Sequence, residues 1–339
     1  DLGQFGNVKD PAEPVEPLPG CARVVQLPVD ERADRPGVAR AHDPAEVREA
    51  LADVGYLADD TLATAILLAL RMQRPLFLEG EPGTGKTEVA KALIAIRGGE
   101  LIRLQCYEGI DASQALAEWD HPRQLLALRA AEAAGAIAGD HRDAAALEAG
   151  LYDERYLIRR PLLAALTPAP VPPVLLIDEI DRADDEFEAF LLEVLSEWAV
   201  TIPELGTIRA EVPPIVIVTS NRTRDVHDAL KRRCLYHWLD HPDVEREVAI
   251  LLVRVPGVGE HLARQVAEGT AALRSLRLTK PPGVAEAIDW ATALVALGAT
   301  RLDTSTVGST LGAVLKYHED HQRVQGLPPD ALLTSPRDD

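Results

Sequence analysis

The chain has 339 residues, of which 47% are hydrophobic and 26% charged, as expected for a globular protein with one large domain and a smaller one. Its formal net charge is -19, which argues against nucleic acid as the main partner because an acidic surface repels phosphate backbones. The longest apolar stretch, Leu62–Leu70, is too short to cross a membrane. No secretory signal is visible, and the three cysteines (Cys21, Cys106, Cys234) fit reduced thiols of a cytoplasmic protein.

Residues 1–44 are rich in proline, glycine and charge, a composition typical of a flexible arm. From residue 45 to about 240, short apolar strands alternate with helices, which indicates a parallel sheet covered on both faces. The predicted strands are Arg74–Glu79, Leu101–Cys106, Val174–Ile177, Ile215–Thr219 and Leu235–Leu239. One predicted helix begins near Asp43. The other predicted helices cover Asp59–Met72, Lys86–Ile96, most of Ser113–Gly150, the stretch that follows Ile177 up to about Trp198, and a short segment before Leu235.

Two connections in this region have their own patterns. Pro161–Pro173 is spaced by prolines and is predicted to be a connection without regular structure, whereas Thr201–Ala210 is predicted to be a hairpin. Beyond residue 240 only helical patterns occur, so we expect a helical domain over residues 241–320 and a flexible tail over 321–339. Its predicted helices are Val244–Val255, Gly259–Arg274, Gly283–Leu297 and Ser305–His318.

A phosphate-binding loop is the strongest motif in the chain. The eight residues Gly80, Glu81, Pro82, Gly83, Thr84, Gly85, Lys86 and Thr87 match G-x-x-x-x-G-K-[ST] in full, between a predicted strand and a predicted helix. Glycines let the backbone wrap around phosphate, and the helix N-terminus attracts anions. Lys86 would contact the β and γ phosphates of ATP, and the Thr87 hydroxyl would ligate Mg2+. The alternative, a glycine turn with a chance lysine, does not explain the strand and helix context.

Two adjacent acids end the apolar strand that begins at Val174. Asp178 is predicted to hold Mg2+, and Glu179 to polarise the water that attacks the γ-phosphate. Acids in this position can also simply cap the next helix. The loop lies about 90 residues upstream, a separation that other strands of the same sheet can fill, which favours the catalytic role.

Two further elements follow in the chain. Asn221 comes directly after the strand Ile215–Thr219, where its amide can bond the attacking water or the γ-phosphate, or simply form a turn. The short helix before Leu235 ends in the cations Lys231, Arg232 and Arg233. They either complement the helix C-terminus or provide an arginine finger for a neighbouring subunit's phosphate.

These four elements, in this order, resemble the AAA+ ATPases over about residues 46–318. The resemblance implies an αβα sandwich of the P-loop NTPase class with a C-terminal helical lid, and ATP bound between them. It identifies Gly80–Thr87 with Walker A, Leu175–Glu179 with Walker B, Asn221 with sensor 1 and Arg233 with the finger. It also places Tyr56 and Leu57 at the start of the adenine pocket. Such a finger implies a ring, with a hexamer expected.

Within AAA+, the sequence most resembles the MoxR family, in its branch associated with carbon monoxide dehydrogenase maturation. Four stretches carry this resemblance: Leu76–Gly83, Asp178–Ala183, Thr201–Ile208 and Ser220–Asp225. The family has an insert in its second helix, which would lie within about 106–161, and a hairpin before sensor 1, here about 200–211. The usual sensor 2 arginine is missing from Arg277–Gly283, where Lys280 is a weak substitute because lysine cannot make the same bidentate contact.

The resemblance implies an ATPase that remodels or matures a client protein, with a von Willebrand factor A protein as partner. The expected client is a metalloenzyme such as a molybdenum hydroxylase. A G protein is excluded because no Asn-Lys-x-Asp run occurs, and a small P-loop kinase would lack the sensor, finger and lid. A DNA-directed AAA+ motor is the remaining alternative. The acidic charge and the lack of a recognisable DNA-binding module argue against it.

Overall fold

The computed structural model describes residues 41–138, 150–328 and 332. Its strands are β1 (Leu76–Glu79), β2 (Leu101–Gln105), β3 (Ala117–Trp119), β4 (Leu157–Arg159), β5 (Val174–Asp178), β6 (Ala199–Ile202), β7 (Gly206–Arg209), β8 (Ile215–Ser220) and β9 (Leu235–Trp238). Five of them form one parallel sheet in the order β2-β5-β8-β1-β9. All five were predicted from the sequence, and their parallel pairing confirms the α/β fold class.

Helices lie before, between and after these strands. They are α1 (Pro44–Asp53), α2 (Asp60–Met72), α3 (Lys86–Arg97), α4 (Ala112–Leu116), α5 (His121–Ala138), α6 (Pro161–Leu166), α7 (Asp185–Glu197), α8 (Asp228–Arg233), α9 (Val244–Arg254), α10 (Glu260–Ser275), α11 (Val284–Ala296), α12 (Thr304–Val314) and α13 (His318–Gln325). Most begin at a side-chain cap; Asp59 and Asp184, for example, each accept a backbone N–H of the first turn.

Helices cover both faces of the central strands. Because successive residues of a strand point to opposite sides, neighbouring residues pack against different helices. In β1, Leu76 and Leu78 pack with the apolar sides of α1, α2 and α3, whereas Phe77 packs with α6, α7 and α8 on the other face. All four residues of β1 and all five of β5 are buried. This two-sided burial explains why β1 and β5 are apolar runs rather than alternating patterns.

The region around the predicted insert contains structure that the sequence pattern missed. The stretch from Ser113 was predicted to be mainly helical, but β3 pairs with β4 as a small antiparallel hairpin between α4 and α6. Strands of three residues are too short to show a period. The predicted connection Pro161–Pro173 contains α6, since a proline at the first helical position supports a helix start instead of preventing it. Residues 139–149 lie outside the described residues.

The second hairpin, β6 with β7, lies where it was predicted. It shares a core with the first hairpin and with α6 and α7. The fully buried members of that core are Leu163, Leu166, Val194, Val200 and Ile202, and Trp119, Leu157 and Ile208 pack against them. The two hairpins are therefore held together by one apolar cluster beside the sheet.

The C-terminal part is helical throughout the described residues after Trp238, as predicted. Its core surrounds the buried Trp290, whose indole N–H donates to Thr310. The expected helix Ser305–His318 corresponds to α12, which ends at Val314, and a further helix, α13, begins at His318. Helix α13 ends at Gln325 and buries Val324, so ordered structure extends past residue 320, where we expected a tail to begin.

The cysteines of the described region are Cys106 and Cys234. Both are free and buried, and burial raises the pKa of each thiol to about 12. This supports the expected role as inert core residues. Cys21 and the expected arm over residues 1–40 lie outside the described residues. No helix in the described ranges is both long enough and apolar enough to cross a membrane.

Candidate active site

The phosphate-loop motif connects β1 to α3 and lies at the carboxyl edge of the sheet. Gly83 and Gly85 have φ angles of 80° and 93°, which glycine adopts without strain. Lys86 is 6% exposed and folds over the loop, with its ammonium donating to the carbonyls of Gly80 and Glu81 at 2.8 and 2.7 Å. Burial lowers the pKa of Lys86 to about 8, although nearby Asp181 and Glu81 oppose the shift. The sequence motif therefore builds a tight loop around one buried cation.

Strand order brings the two predicted halves of the site together. β8 lies between β1 and β5, so the ends of the loop strand, the Asn221 strand and the acidic strand are neighbours. Thr87 Oγ1 donates to Asp178 Oδ1 at 3.2 Å although the two residues are 91 positions apart. Thr219 Oγ1 donates to the same oxygen at 2.6 Å. The chain between the two motifs, which includes β2 and the helices α3 to α6, therefore returns to the sheet so that their side chains share one cleft.

The donor set around Asp178 fits a magnesium ion. Its side chain is 4% exposed, and the Thr87 hydroxyl lies within hydrogen-bond distance of its carboxylate. Magnesium prefers one or two carboxylate or hydroxyl oxygens together with phosphate and water oxygens. Thr87 and Asp178 supply such oxygens beside the phosphate loop, so these are the residues that would hold Mg2+.

Glu179 has an unusual backbone conformation. Its φ is 56°, in the left-handed region that non-glycine residues rarely adopt, and such residues are frequent at functional sites. Three donors hold its carboxylate: Gln105 Nε2 at 3.1 Å, Asn221 Nδ2 at 3.3 Å and Arg182 Nε at 2.9 Å. The structure therefore places Glu179 and Asn221 in contact, and both line the same cleft as Lys86.

The loop after Asn221 is fastened by Asp181. This carboxylate accepts the backbone N–H groups of Asn221 at 3.2 Å and Thr223 at 2.8 Å, and also the Thr223 hydroxyl. Burial opposes ionisation of Asp181, but the hydrogen bonds from Thr223 and Asn221 outweigh it and lower its pKa. Asp181 thus fixes the position of Asn221.

The cleft has a volume of about 400 Å³ and extends from the phosphate loop to Tyr56 and Leu57. Burial raises the pKa of Tyr56, so this phenol is neutral. Arg246 holds the segment that contains Leu57: its guanidinium donates to the Leu57 carbonyl at 2.7 Å and pairs with Asp59 at 2.8 Å. Tyr56 and Leu57 line this cleft together with the phosphate loop, and their contact with adenine stays a prediction.

Helix α11 of the C-terminal part forms one wall of the cleft. Val284, Ala285 and Ile288 of α11 line it, and the Val284 N–H donates to the Gly83 carbonyl at 2.9 Å. Gly283 lies against Gly83 so closely that a Cβ on it would be 2.7 Å from the Gly83 Cα. Lys280, the weak sensor 2 candidate, is exposed and is not among the lining residues. The cations that do line the cleft are Lys86, Arg103, Arg246 and Arg254.

Arg233 lies at the C-terminal end of α8 and does not line the cleft of its own chain. Its guanidinium is exposed and donates to the Ser196 carbonyl at 2.6 Å. Arg74 holds the end of this helix, with its guanidinium donating to the carbonyls of Arg232, Arg233 and Cys234 at 2.6, 3.0 and 3.2 Å. Within the described residues, Arg233 therefore does not contact the phosphate loop of its own chain.

Several residues at the site were missed in the sequence. They are Arg103 and Gln105 on β2, Thr219 on β8, and Arg246 and Arg254 on α9. The period of β2 indicated only that Arg103 and Gln105 share one face, so their contact with the acids required the pairing of β2 with β5. The α9 arginines follow a helical pattern that is equally typical of a solvated face.

Parts of this chain are similar to known proteins. Residues 75–234 match the AAA domain (dynein-related subfamily). A stretch of 54 residues is 44% identical to midasin of Giardia intestinalis, but it covers 16% of this chain and 1% of midasin, so the chain spans only a small part of that relative. The Thermotoga maritima RuvB Holliday junction branch migration motor is similar over 81% of this chain and 72% of that one, with 16% identity and a TM-score of 0.42. The segment that is similar to the AAA domain contains Lys86, Thr87, Asp178, Glu179 and Asn221, whereas the cleft residues from Tyr56, Leu57 and α11 lie outside it.

Proposed function

We propose that this chain hydrolyses Mg-ATP at the cleft between the sheet edge and α11, within a ring of like subunits, and uses the energy to remodel a protein client. The observation that carries the catalytic part is the convergence of Lys86, Thr87, Asp178, Glu179 and Asn221 on one cleft. In this proposal Lys86 binds the β and γ phosphates, and Thr87 and Asp178 hold magnesium, which neutralises phosphate charge when it is bound.

Glu179 is proposed to be the base that polarises the attacking water, with Asn221 orienting that water or the γ-phosphate. The hydrogen bonds from Gln105 and Asn221 and the ion pair with Arg182 support this, since they hold the carboxylate of a residue that lines the cleft. The adenine is proposed to lie near Tyr56 and Leu57, which line the same cleft.

The ring is proposed from Arg233. Its exposed guanidinium, at a helix end that Arg74 fastens, supports a role toward a neighbouring subunit. A hexamer is the expected ring, by resemblance to the AAA+ ATPases.

The client side of the proposal rests on the resemblance to the MoxR family, which implies a von Willebrand factor A partner and a metalloenzyme client such as a molybdenum hydroxylase. The two hairpins that share one apolar cluster give it a physical basis, because a joined pair of hairpins can move as one body when the cleft changes. The formal charge of -19 supports a protein client over the alternative of a DNA-directed motor.

Glu179→Gln tests the catalytic proposal. The variant removes the base but keeps side-chain volume and leaves Asp178 in place, so it should bind ATP normally and hydrolyse it about 100-fold or more slowly. Glu193→Gln, the same change at an exposed position of α7, is the control. ATP turnover and ATP-analogue affinity are measured on both. Hydrolysis by Glu179→Gln at the rate of the control would show that another residue is the base.

The client proposal has a separate test. The purified protein is assayed for ATP turnover with a von Willebrand factor A protein, with an apo molybdenum hydroxylase and with double-stranded DNA. Stimulation by the protein partners alone supports remodelling, and stimulation by DNA alone supports the motor alternative.

A further inference from the structure

Asp178 already has a cation in direct contact with its carboxylate. Arg103, in the middle of β2, donates to Asp178 Oδ2 from Nε at 3.0 Å and from Nη2 at 2.5 Å. The other oxygen, Oδ1, accepts the hydroxyls of Thr87 and Thr219. Both oxygens of this buried carboxylate are therefore engaged by groups of the chain itself.

The two members of this pair differ in their surroundings. The Asp178 side chain is 4% exposed and cannot move into solvent, whereas the Arg103 side chain is 54% exposed. A buried carboxylate needs a compensating charge, since an ionised group is costly to desolvate alone. The partner, by contrast, can rotate away without disturbing the sheet, because Ile102 and Leu104 carry the packing of β2.

Magnesium is a second cation for the same carboxylate. The assignment of Thr87 and Asp178 as its ligands, on which this argument rests, would bring a divalent charge against a group that Arg103 already neutralises. Two cations repel each other, and the carboxylate has few free lone pairs once Arg103, Thr87 and Thr219 are bound.

We propose that Arg103 competes with magnesium for Asp178. Arg103 neutralises the carboxylate when magnesium is not bound, and binding of the metal with the nucleotide requires the guanidinium to move off Oδ2. Arg103 is thus a positioning residue that sets how much magnesium the site needs. If Arg103 instead helped to hold the carboxylate while magnesium is bound, removing Arg103 would reduce the strengthening of nucleotide binding by magnesium.

Arg103→Gln separates these roles through binding alone. A fluorescent, non-hydrolysable probe, methylanthraniloyl AMP-PNP, is titrated against the protein once with excess EDTA and once with saturating MgCl2. The ratio of the Kd in EDTA to the Kd in MgCl2 measures how much magnesium strengthens binding of the probe. We expect this ratio to rise about threefold to tenfold in Arg103→Gln, which is the scale of a charge-assisted hydrogen bond to a partly exposed partner. The MgCl2 concentration for half-saturation should fall by a similar factor.

Two controls isolate the competition. Arg254→Gln removes another cation of the same cleft, one that contacts Glu88 at 3.5 Å and not Asp178, so it reports the general effect of lost charge on ATP binding. In an Asp178→Asn background, Arg103→Gln should no longer change the ratio. Arg103→Lys keeps the charge without the two-point contact and should give an intermediate ratio, and it replaces Arg103→Gln if circular dichroism shows that the latter does not fold.

The outcomes are distinct. A ratio that is unchanged or lower in Arg103→Gln overturns the competition, as does an equal rise in Arg254→Gln or an undiminished rise in the Asp178→Asn background. If the unmodified protein binds the probe under neither condition, the ATP site itself is wrong, whatever Arg103 does.

Discussion

The contact between Gly83 and Gly283 joins the phosphate loop to the helical part of the chain, and one methyl group should break it. A Cβ on Gly283 would lie 2.7 Å from the Gly83 Cα and 2.9 Å from its carbonyl carbon and oxygen, against about 3.4 Å for ordinary contact. These are backbone atoms, so no side chain can rotate away. Gly283 itself has φ -85° and ψ -174°, which alanine adopts freely. The effect of Gly283→Ala therefore comes from the clash alone.

The magnitude follows from the geometry. Moving the start of α11 away by about 0.7 Å, the difference between 3.4 and 2.7 Å, also stretches the hydrogen bond from Val284 N–H to the Gly83 carbonyl. Overpacking of this size costs about 1–3 kcal/mol. Because Val284 and Ile288 line the cleft, we expect most of that cost in nucleotide binding, as a Kd about 5- to 100-fold higher.

The assay is a titration with the same fluorescent AMP-PNP analogue in MgCl2. Gly259→Ala is a closely matched control: Gly259 is also an extended N-cap glycine, of α10, but a Cβ there meets nothing within 4 Å. It should bind like the unmodified protein. Equal affinities for the two variants would refute the reasoning, because they would show that α11 does not rest on the phosphate loop when nucleotide binds.

Three further predictions follow from single side chains. Lys86→Ala should lose detectable binding of the ATP analogue while keeping its circular dichroism spectrum, and unchanged affinity would rule out its phosphate contact. Arg233→Ala should lose about 10³-fold or more in ATP turnover with little change in Tm, and mixing it with Lys86→Ala should restore activity if the finger acts between subunits; inactive mixed rings would make Arg232 the next candidate. Burial, together with Arg274 and Lys86, lowers the pKa of His241 from 6.5 to about 4, so the unfolded chain binds a proton first and stability should fall as the pH drops from 6.5 toward 4. His241→Asn should show a smaller loss in urea unfolding across that range, and identical slopes would contradict the assignment.

Local patterns in the sequence determined most of the elements. The strands β1, β5 and β8 were predicted as apolar runs, since a strand covered on both faces is apolar along its whole length, whereas the edge strand β2 alternates. The phosphate loop was readable because all its residues are consecutive. Patterns failed where an element is too short to show a period, as in β3 and β4, or where a proline supports a helix start, as at Pro161.

The candidate site also has one part that the sequence determined and one part that only the tertiary structure decided. The sequence alone determined which residue types could bind phosphate, metal and water: Lys86, Thr87, Asp178, Glu179 and Asn221. Only the tertiary structure decided that Arg103 contacts Asp178 and that Gly283 contacts Gly83, because each pair comes from segments 75 or more positions apart. Such contacts depend on strand order and on how the last helices pack, which the period of any single segment does not encode.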